Sequence, residues 1–266
     1  MKSLTIPFKI LHDRGELIHE LVRRDLRDRH TGQILGVLWA YGYPLILMLI
    51  YTFLFAYVFP ARFSSNGSTQ DFSVNVLAGI ISWLTFQNLL VRAPSILHEH
   101  SNLVKQIVFP TEVLPIKTAI ASILPYTVGM VFAVIYAYSK GTLSMLSLTL
   151  PLLIFCQAIA MVGAAFLLSA CGVFLRDIRD IVNVFCTVNL FAQPILYNPY
   201  VTPDMLKYIF TVNPFSYIVW CWQDALYYGN IEHPIAWIIF PAGSFIILVI
   251  GWAVYEKSKH LFGDVL

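Results

Sequence analysis

None of the long apolar stretches of this 266-residue chain holds an Asp, Glu or His at mid-depth. Ion-coupled transporters keep such groups there as proton relays or ion ligands, so that mode of energy coupling is excluded. The phosphate-cradling loop G-x-x-x-x-G-K-[ST] is also missing, and no nucleotide is hydrolysed by that route. There is no H-E-x-x-H pair of metal ligands; His98-Glu99-His100 has the wrong spacing and reads as a solvated helix start. Cys156, Cys171, Cys186 and Cys221 are isolated, without C-x-x-C spacing, and read as small lipid- or core-facing residues rather than a disulfide or metal framework. A chain with neither an ion relay nor a nucleotide site is a passive pore or takes its energy from another polypeptide.

Charge is scarce as well: 12% of residues are charged and 58% hydrophobic, with a mean hydropathy of +0.71. A soluble domain carries roughly a quarter charged residues, so this is an integral membrane protein. What charge there is lies unevenly. Seven Lys or Arg fall in the first 34 residues, and the next 25, Leu35 to Phe59, carry none. Basic residues beside a span resist translocation and hold that end in the cytoplasm. The long polar lead-in does not resemble a cleavable signal peptide.

Six spans are expected from apolar run length, at Leu35–Phe59, Val74–Leu97, Val113–Tyr138, Leu146–Leu175, Ile181–Tyr197 and Ile235–Tyr255. Loops assigned to the cytoplasm then hold the N-terminal cations, Lys105, Arg176, Arg179, Lys257 and Lys259, against only Arg62, Lys140 and Lys207 outside. That asymmetry puts both termini in the cytoplasm. Arg92 and Lys117, inside spans two and three, sit close enough to the shared loop to snorkel to the headgroups. From Asn198 to Pro234 the chain is apolar and aromatic, but Asn213-Pro214 breaks it. This stretch is read as short re-entrant or interfacial helices on the outer face.

Ahead of the first span, Leu17, Ile18, Leu21, Val22 and Leu26 collect on one side of a helix and Arg23, Arg24, Arg27 and Asp28 on the other. Arg24 with Asp28, and Asp25 with Arg29, stand four apart and can pair. Such a helix lies in the interface, either as a topology anchor or as a docking surface for a cytoplasmic partner. Gly32 and Gly36 form a G-x-x-x-G pair, a helix-contact pattern close to the interface. The expected organisation is a single all-α integral membrane domain: interface helix 1–34, spans one to five 35–197, outer gate segment 198–234, span six 235–255 and cytoplasmic tail 256–266.

Several motifs resemble a known family. Gly32-Gln33-Ile34-Leu35-Gly36-Val37-Leu38-Trp39-Ala40, then Pro44-Leu45 and Tyr51-Thr52-Phe53-Leu54-Phe55, look like the first span of ABC type-2 permeases that export bacterial surface polysaccharides. Val108-Phe109-Pro110, Phe174-Leu175-Arg176-Asp177-Ile178, Pro194-Ile195-Leu196-Tyr197 and Asn213-Pro214 are similar to the family's other marks, in order. Within that family the likeness is greatest to the Wzm-type O-antigen exporters. It implies a bacterial inner-membrane homodimer, with no nucleic acid partner, carrying two separate ATP-binding subunits. ATP and Mg would sit on those subunits and no cofactor on this chain. The cargo implied is a polyprenyl-diphosphate-linked polysaccharide; capsule, teichoic acid or a small solute or drug are alternatives within the superfamily.

The resemblance puts a coupling helix around His98 to Glu112, where Glu99 and Lys105 would enter a cleft of the ATPase; a plain connecting loop is the alternative. Arg176, Asp177, Arg179 and Asp180 would make a second contact there, or else a self-paired loop. Pro194, Tyr197 and Pro214 would belong to the outer gate. Aromatic rings stack on the C–H faces of sugars and suit a polysaccharide conduit. At 100° per residue Trp39, Tyr43 and Tyr57 form one stripe, facing either the conduit or the interfacial belt. A membrane glycosyl- or acyltransferase would instead need convergent acids or histidines. Asp204, Asp224, Glu232 and His233 form the one outer cluster that could supply them.

Overall fold

The computed structural model describes residues 10, 12–29, 31–58, 72–105, 109–175, 177–197 and 202–266, and every regular element among them is a helix. Helix α1 is Gly15–Asp28, and it buries Ile18, Val22 and Leu26 at the spacing the sequence predicts. Its apolar face is covered by protein: it packs on α5, Val113–Ile123, the first part of the third span.

Helix α2, Leu38–Phe53, ends in a π turn, Leu54–Val58. It begins three residues later than the apolar run because Gly32 and Gly36 have φ of 85° and 49°, so these glycines make turns ahead of the span. They do not form a helix contact. Helix α3, Phe72–Arg92, runs on through a 3-10 turn at Pro94 into Ile96–Glu99, and a short α4, Ser101–Val104, follows. Beyond α5, a 3-10 turn at Pro125 leads into α6, Thr127–Ser139. The 25-residue α7 is Leu150–Phe174.

Helix α8 covers only Ile178–Phe191. Then come α9, Asp204–Val212, and α10, Pro214–Gln223, which closes in a π turn, Asp224–Tyr228, against Gly229 at φ 71°. Helix α11 is Pro234–Ser258 and the short α12 is Phe262–Val265.

Five helical stretches among the described residues are long and apolar enough to cross a bilayer: Leu38–Val58, Phe72–Glu99, Val113–Ser139, Met145–Phe174 and Pro234–Leu261. The expected fifth span, Ile181–Tyr197, is the exception. Its 14-residue helix is about 21 Å long, short of the roughly 30 Å hydrocarbon core. Pro194 accounts for the stop, since proline has no N–H to donate and its ring clashes with the preceding turn. The Tyr197 hydroxyl donates to the freed Phe191 carbonyl at 3.0 Å.

The break at Asn213-Pro214 falls where the sequence puts it. The Asn213 side chain accepts from Phe215 N at 3.0 Å and donates to Asn189 Oδ1 and the Ala192 carbonyl at 2.7 and 2.8 Å. Phe215 packs on Trp83 and Phe86, with ring centroids 5.3 and 5.2 Å apart. Those two rings lie roughly 17–21 Å along α3 from its Phe72 end. The turn between α9 and α10 therefore reaches deep into the bundle. Trp222 of α10 donates to Gln157 Oε1 at 3.1 Å, and Gln157 in turn donates to the Ser82 carbonyl at 2.9 Å.

At the other end of the bundle a second apolar cluster joins Ile18 and Val22 of α1 to Val113, Phe166, Trp252 and Phe262. Lys259 pairs with Glu112 at 3.3 Å in the same region. The N-terminal helix and the C-terminal tail thus meet at one end of the molecule.

Candidate coupling face and conduit

A buried charge cluster fastens α1 to the bundle. Asp25 takes the Lys117 ammonium on Oδ1 at 2.7 Å and the Arg92 guanidinium on Oδ2 at 3.1 Å, and it also pairs with Arg29. Lys117 is 3% exposed, so it does not snorkel; it and Arg92 turn inward to a carboxylate that no hydropathy window could supply. Arg92 also donates to Ser122 Oγ at 3.3 Å, and Lys117 to His100 Nε2 at 2.9 Å. Burial alone would push the Asp25 carboxyl up, but Arg92, Lys117 and Arg29 outweigh it and hold the group well below the usual carboxylate range. Burial and the neighbouring Arg92 bring the Arg29 guanidinium down to about 10.

His100 reports on this cluster. Burial and the Lys117 charge push its imidazole below the ordinary histidine value, against the opposing pull of Asp25, with Arg24 and Arg92 adding to the depression. The unfolded chain therefore takes up the proton first. The stabilisation is complete above the unfolded value of about 6.5 and drains away as pH falls through it toward the folded value. Melting of the detergent-solubilised protein should therefore drop on acidification from about pH 7 to about pH 5. His100→Gln should flatten that profile, and an unchanged slope would show that His100 is not the titrating group.

Beside the cluster the helical continuation of α3 meets the end of α7. His98 Nε2 donates to the Gly172 carbonyl at 3.1 Å. A Cβ at Gly172 would collide with the Pro94 carbonyl, so only glycine permits this approach. Next to the contact lies an open cleft of about 490 Å³ lined by Ser95, His98, Glu99, Ile178 and Arg179. Glu99 is thus brought to the first turn of α8, where Arg179 stands. Lys105 and Asp177 are exposed at the same end but do not line the cleft, and Arg176, like Val108 and Pro199, lies outside the described residues.

On α2, Trp39 and Tyr43 are 41% and 57% exposed and one turn apart, and Tyr57 is 76% exposed. The 100° register holds for the first two. A π turn takes up an extra residue, so Tyr57 is rotated out of the stripe that a continuous α-helix would make. The apolar window of this span is 17% buried, against 78% for Phe72–Glu99. One side of the bundle thus presents an aromatic helix that the rest of the subunit hardly covers.

At the end remote from α1, Pro194 and Tyr197 line a cavity of about 270 Å³. Pro214 lies elsewhere, at the start of α10 along an apolar groove between α8 and α11. Of the candidate outer acids, Asp224 is fully buried and takes the His233 ring at 2.8 Å, His233 N at 3.1 Å and Trp237 Nε1 at 3.0 Å. Asp204 pairs with Lys207 at 3.0 Å and Glu232 accepts from Asn230 at 2.9 Å, so the four do not converge. No group of His, Cys, Asp or Glu that could hold a metal ion occurs among the described residues.

This architecture is that of an all-helical, multi-pass membrane protein with a charged clamp and an open cleft at one end. The family profile of the ABC-2 type transporter matches residues 16–227, and the chain belongs to that family. Two proteins of Klebsiella pneumoniae, each named O-antigen export system permease protein RfbA, are 24% identical over 94% of this chain and 95% of their own length. A Myxococcus xanthus protein of the same name is 23% identical over the same shares.

Proposed function

We propose that the chain is the permease subunit of an ATP-driven exporter that moves polyprenyl-diphosphate-linked polysaccharide of the O-antigen type across the bacterial inner membrane. The observation that carries this is the near full-length likeness to three O-antigen export permeases, within a family match that covers most of the chain. Two copies form the conduit, and two ATP-binding subunits dock at the end where α1, Glu99 and the α8 turn lie. Closure of those subunits is passed on through the cleft as a rigid-body movement. Both termini are cytoplasmic, in keeping with the seven N-terminal cations. Helix α8 and the residues as far as Tyr197 make a sixth crossing, and α9 and α10 form a re-entrant hairpin from the outer side. Trp39 and Tyr43 face the conduit, with Tyr57 near its outer end.

The test is reconstitution with the ATP-binding subunit, together with deletion in the producing cell. The purified chain should hydrolyse no ATP, and the complex should. Polymer should accumulate inside the deletion strain. Trp39→Ala with Tyr43→Ala should slow export roughly fivefold per ring, the equivalent of about 1 kcal/mol of lost stacking, with partner hydrolysis retained. Polymer reaching the surface normally without the chain would end this reading.

A further inference from the structure

We propose that the cavity between α3 and the α9–α10 hairpin is a binding subsite for a single neutral pyranose ring. This rests on the exporter reading and names the part of the glycan that the subunit holds. The cavity, about 270 Å³, is lined by Asn75, Trp220, Gln223, Tyr228 and His233 among others. Its size suits one sugar residue and not a polymer strand.

Asn75 points to a ligand independently of the cavity. It is 2% exposed, it lines this cavity, and its Oδ1 has no hydrogen-bond partner among the described residues. An orphaned buried acceptor is costly, and a sugar hydroxyl is the donor that would satisfy it. Aromatic groups supply the other half of the recognition. Trp220 stacks on His233 with centroids 5.2 Å apart and planes 9° from parallel, and Tyr228 meets the same imidazole edge-on at 5.7 Å. Faces and edges of this kind take the apolar C–H side of a pyranose.

His233 is held in place because its Nδ1 engages Asp224 Oδ1, which leaves Nε2 for a hydroxyl. Gln223 is fixed by its bond to the Pro194 carbonyl at 2.8 Å, which ties the pocket to the turn after α8. Charge argues against an anion. Lys207, the one lysine on the wall, is matched by Asp204, and His233 is backed by the buried Asp224.

The experiment is saturation-transfer NMR on the complete complex in nanodiscs. The probes are the lipid-free glycan released from the producing cells and the methyl glycosides of its component sugars. Ring C–H protons should receive saturation from the native complex. Asn75→Leu should weaken the signal at least tenfold without lowering the melting temperature, because an apolar group of the same shape removes an unsatisfied acceptor without opening a cavity. Trp220→Leu should weaken it as well. Equal saturation in Asn75→Leu, or competition by inorganic phosphate, would overturn the subsite. Export is measured in the same preparation. Absence of binding in a complex that exports refutes the subsite alone, whereas a complex that hydrolyses ATP but exports no polymer refutes the reading beneath it.

Discussion

Asp25→Ala is expected to cost about 3–5 kcal/mol of stability, the penalty for removing one partner of a buried ion pair. The residue has one carboxylate and three cations around it, and Lys117 keeps almost no solvent contact to fall back on. With the carboxylate gone, Lys117 and Arg92 face each other across a desolvated gap. Thermal unfolding of the solubilised protein should show a large drop in melting temperature and the release of α1. The double variant Asp25→Ala, Lys117→Met should recover much of the loss, because apolar replacement of a buried pair is often neutral.

Asp28→Ala is the control. Its pair with Arg24 at 3.3 Å is exposed and worth about 0–1 kcal/mol. The pH behaviour of Asp25 has a definite sign. A lowered folded value means that the contribution is complete above the ordinary Asp value of about 3.9 and is lost only as pH falls below it. Acid loosening near neutrality therefore belongs to His100, and loosening in stronger acid belongs to Asp25. A melting temperature for Asp25→Ala within error of the native protein would show that α1 is held by its apolar face alone.

The parts of this arrangement that could be read from sequence are the local ones. Pairs four apart on α1 follow from helical geometry, and both are present. Five of the six span positions follow from long apolar runs and match the helices to within a few residues. Asp25 meets Arg92 and Lys117 across 67 and 92 residues of chain, and no pattern in one sequence encodes such a partner. Seen without it, the two cations could only be given to the headgroups. Helix α8 is shorter than the apolar run Ile181–Tyr197 suggests at its C-terminal end, for a related reason. Average hydropathy does not register that Pro194 ends a helix inside an apolar run, and only the backbone shows the stop at Phe191.

The candidate sites divide in the same way. Glu99 and Arg179, in the first turn of α8, share a cleft because each follows a span at the same end, which loop assignment anticipates. Pro194 and Tyr197 share the far cavity, but Pro214 is turned toward the apolar groove, and the cavity's aromatic wall comes from Asn198 to Pro234, where the sequence indicates short helices but not which of their faces meet.

Gly251→Ala should be about as damaging as a core overpacking at the upper end of about 1–3 kcal/mol. A Cβ at Gly251 would strike the carbonyl of Gly163, and a Cβ at Gly163 would lie 2.5 Å from Leu248 N and 2.6 Å from its Cα. Both obstacles are backbone, so neither helix can yield by a change of rotamer. Helices in lipid gain little from apolar burial and rely on this kind of close approach, so separating α7 from α11 forfeits the contact that joins them. Gly243→Ala on the same helix meets nothing within 4 Å and should be neutral or stabilising, since alanine favours helix over glycine by roughly 0.5–1 kcal/mol. Comparing the two by heat challenge and size-exclusion chromatography isolates the crossing; equal profiles would mean that the crossing contributes nothing. The crossing also bears on which parts move. Helices locked backbone to backbone act as one post, and the aromatic first span, with little of its surface covered by the bundle, is the element free to shift against it. A spin-label pair on α7 and α11 should therefore keep its separation when the partner binds ATP, while a pair joining Tyr43 to α11 should change.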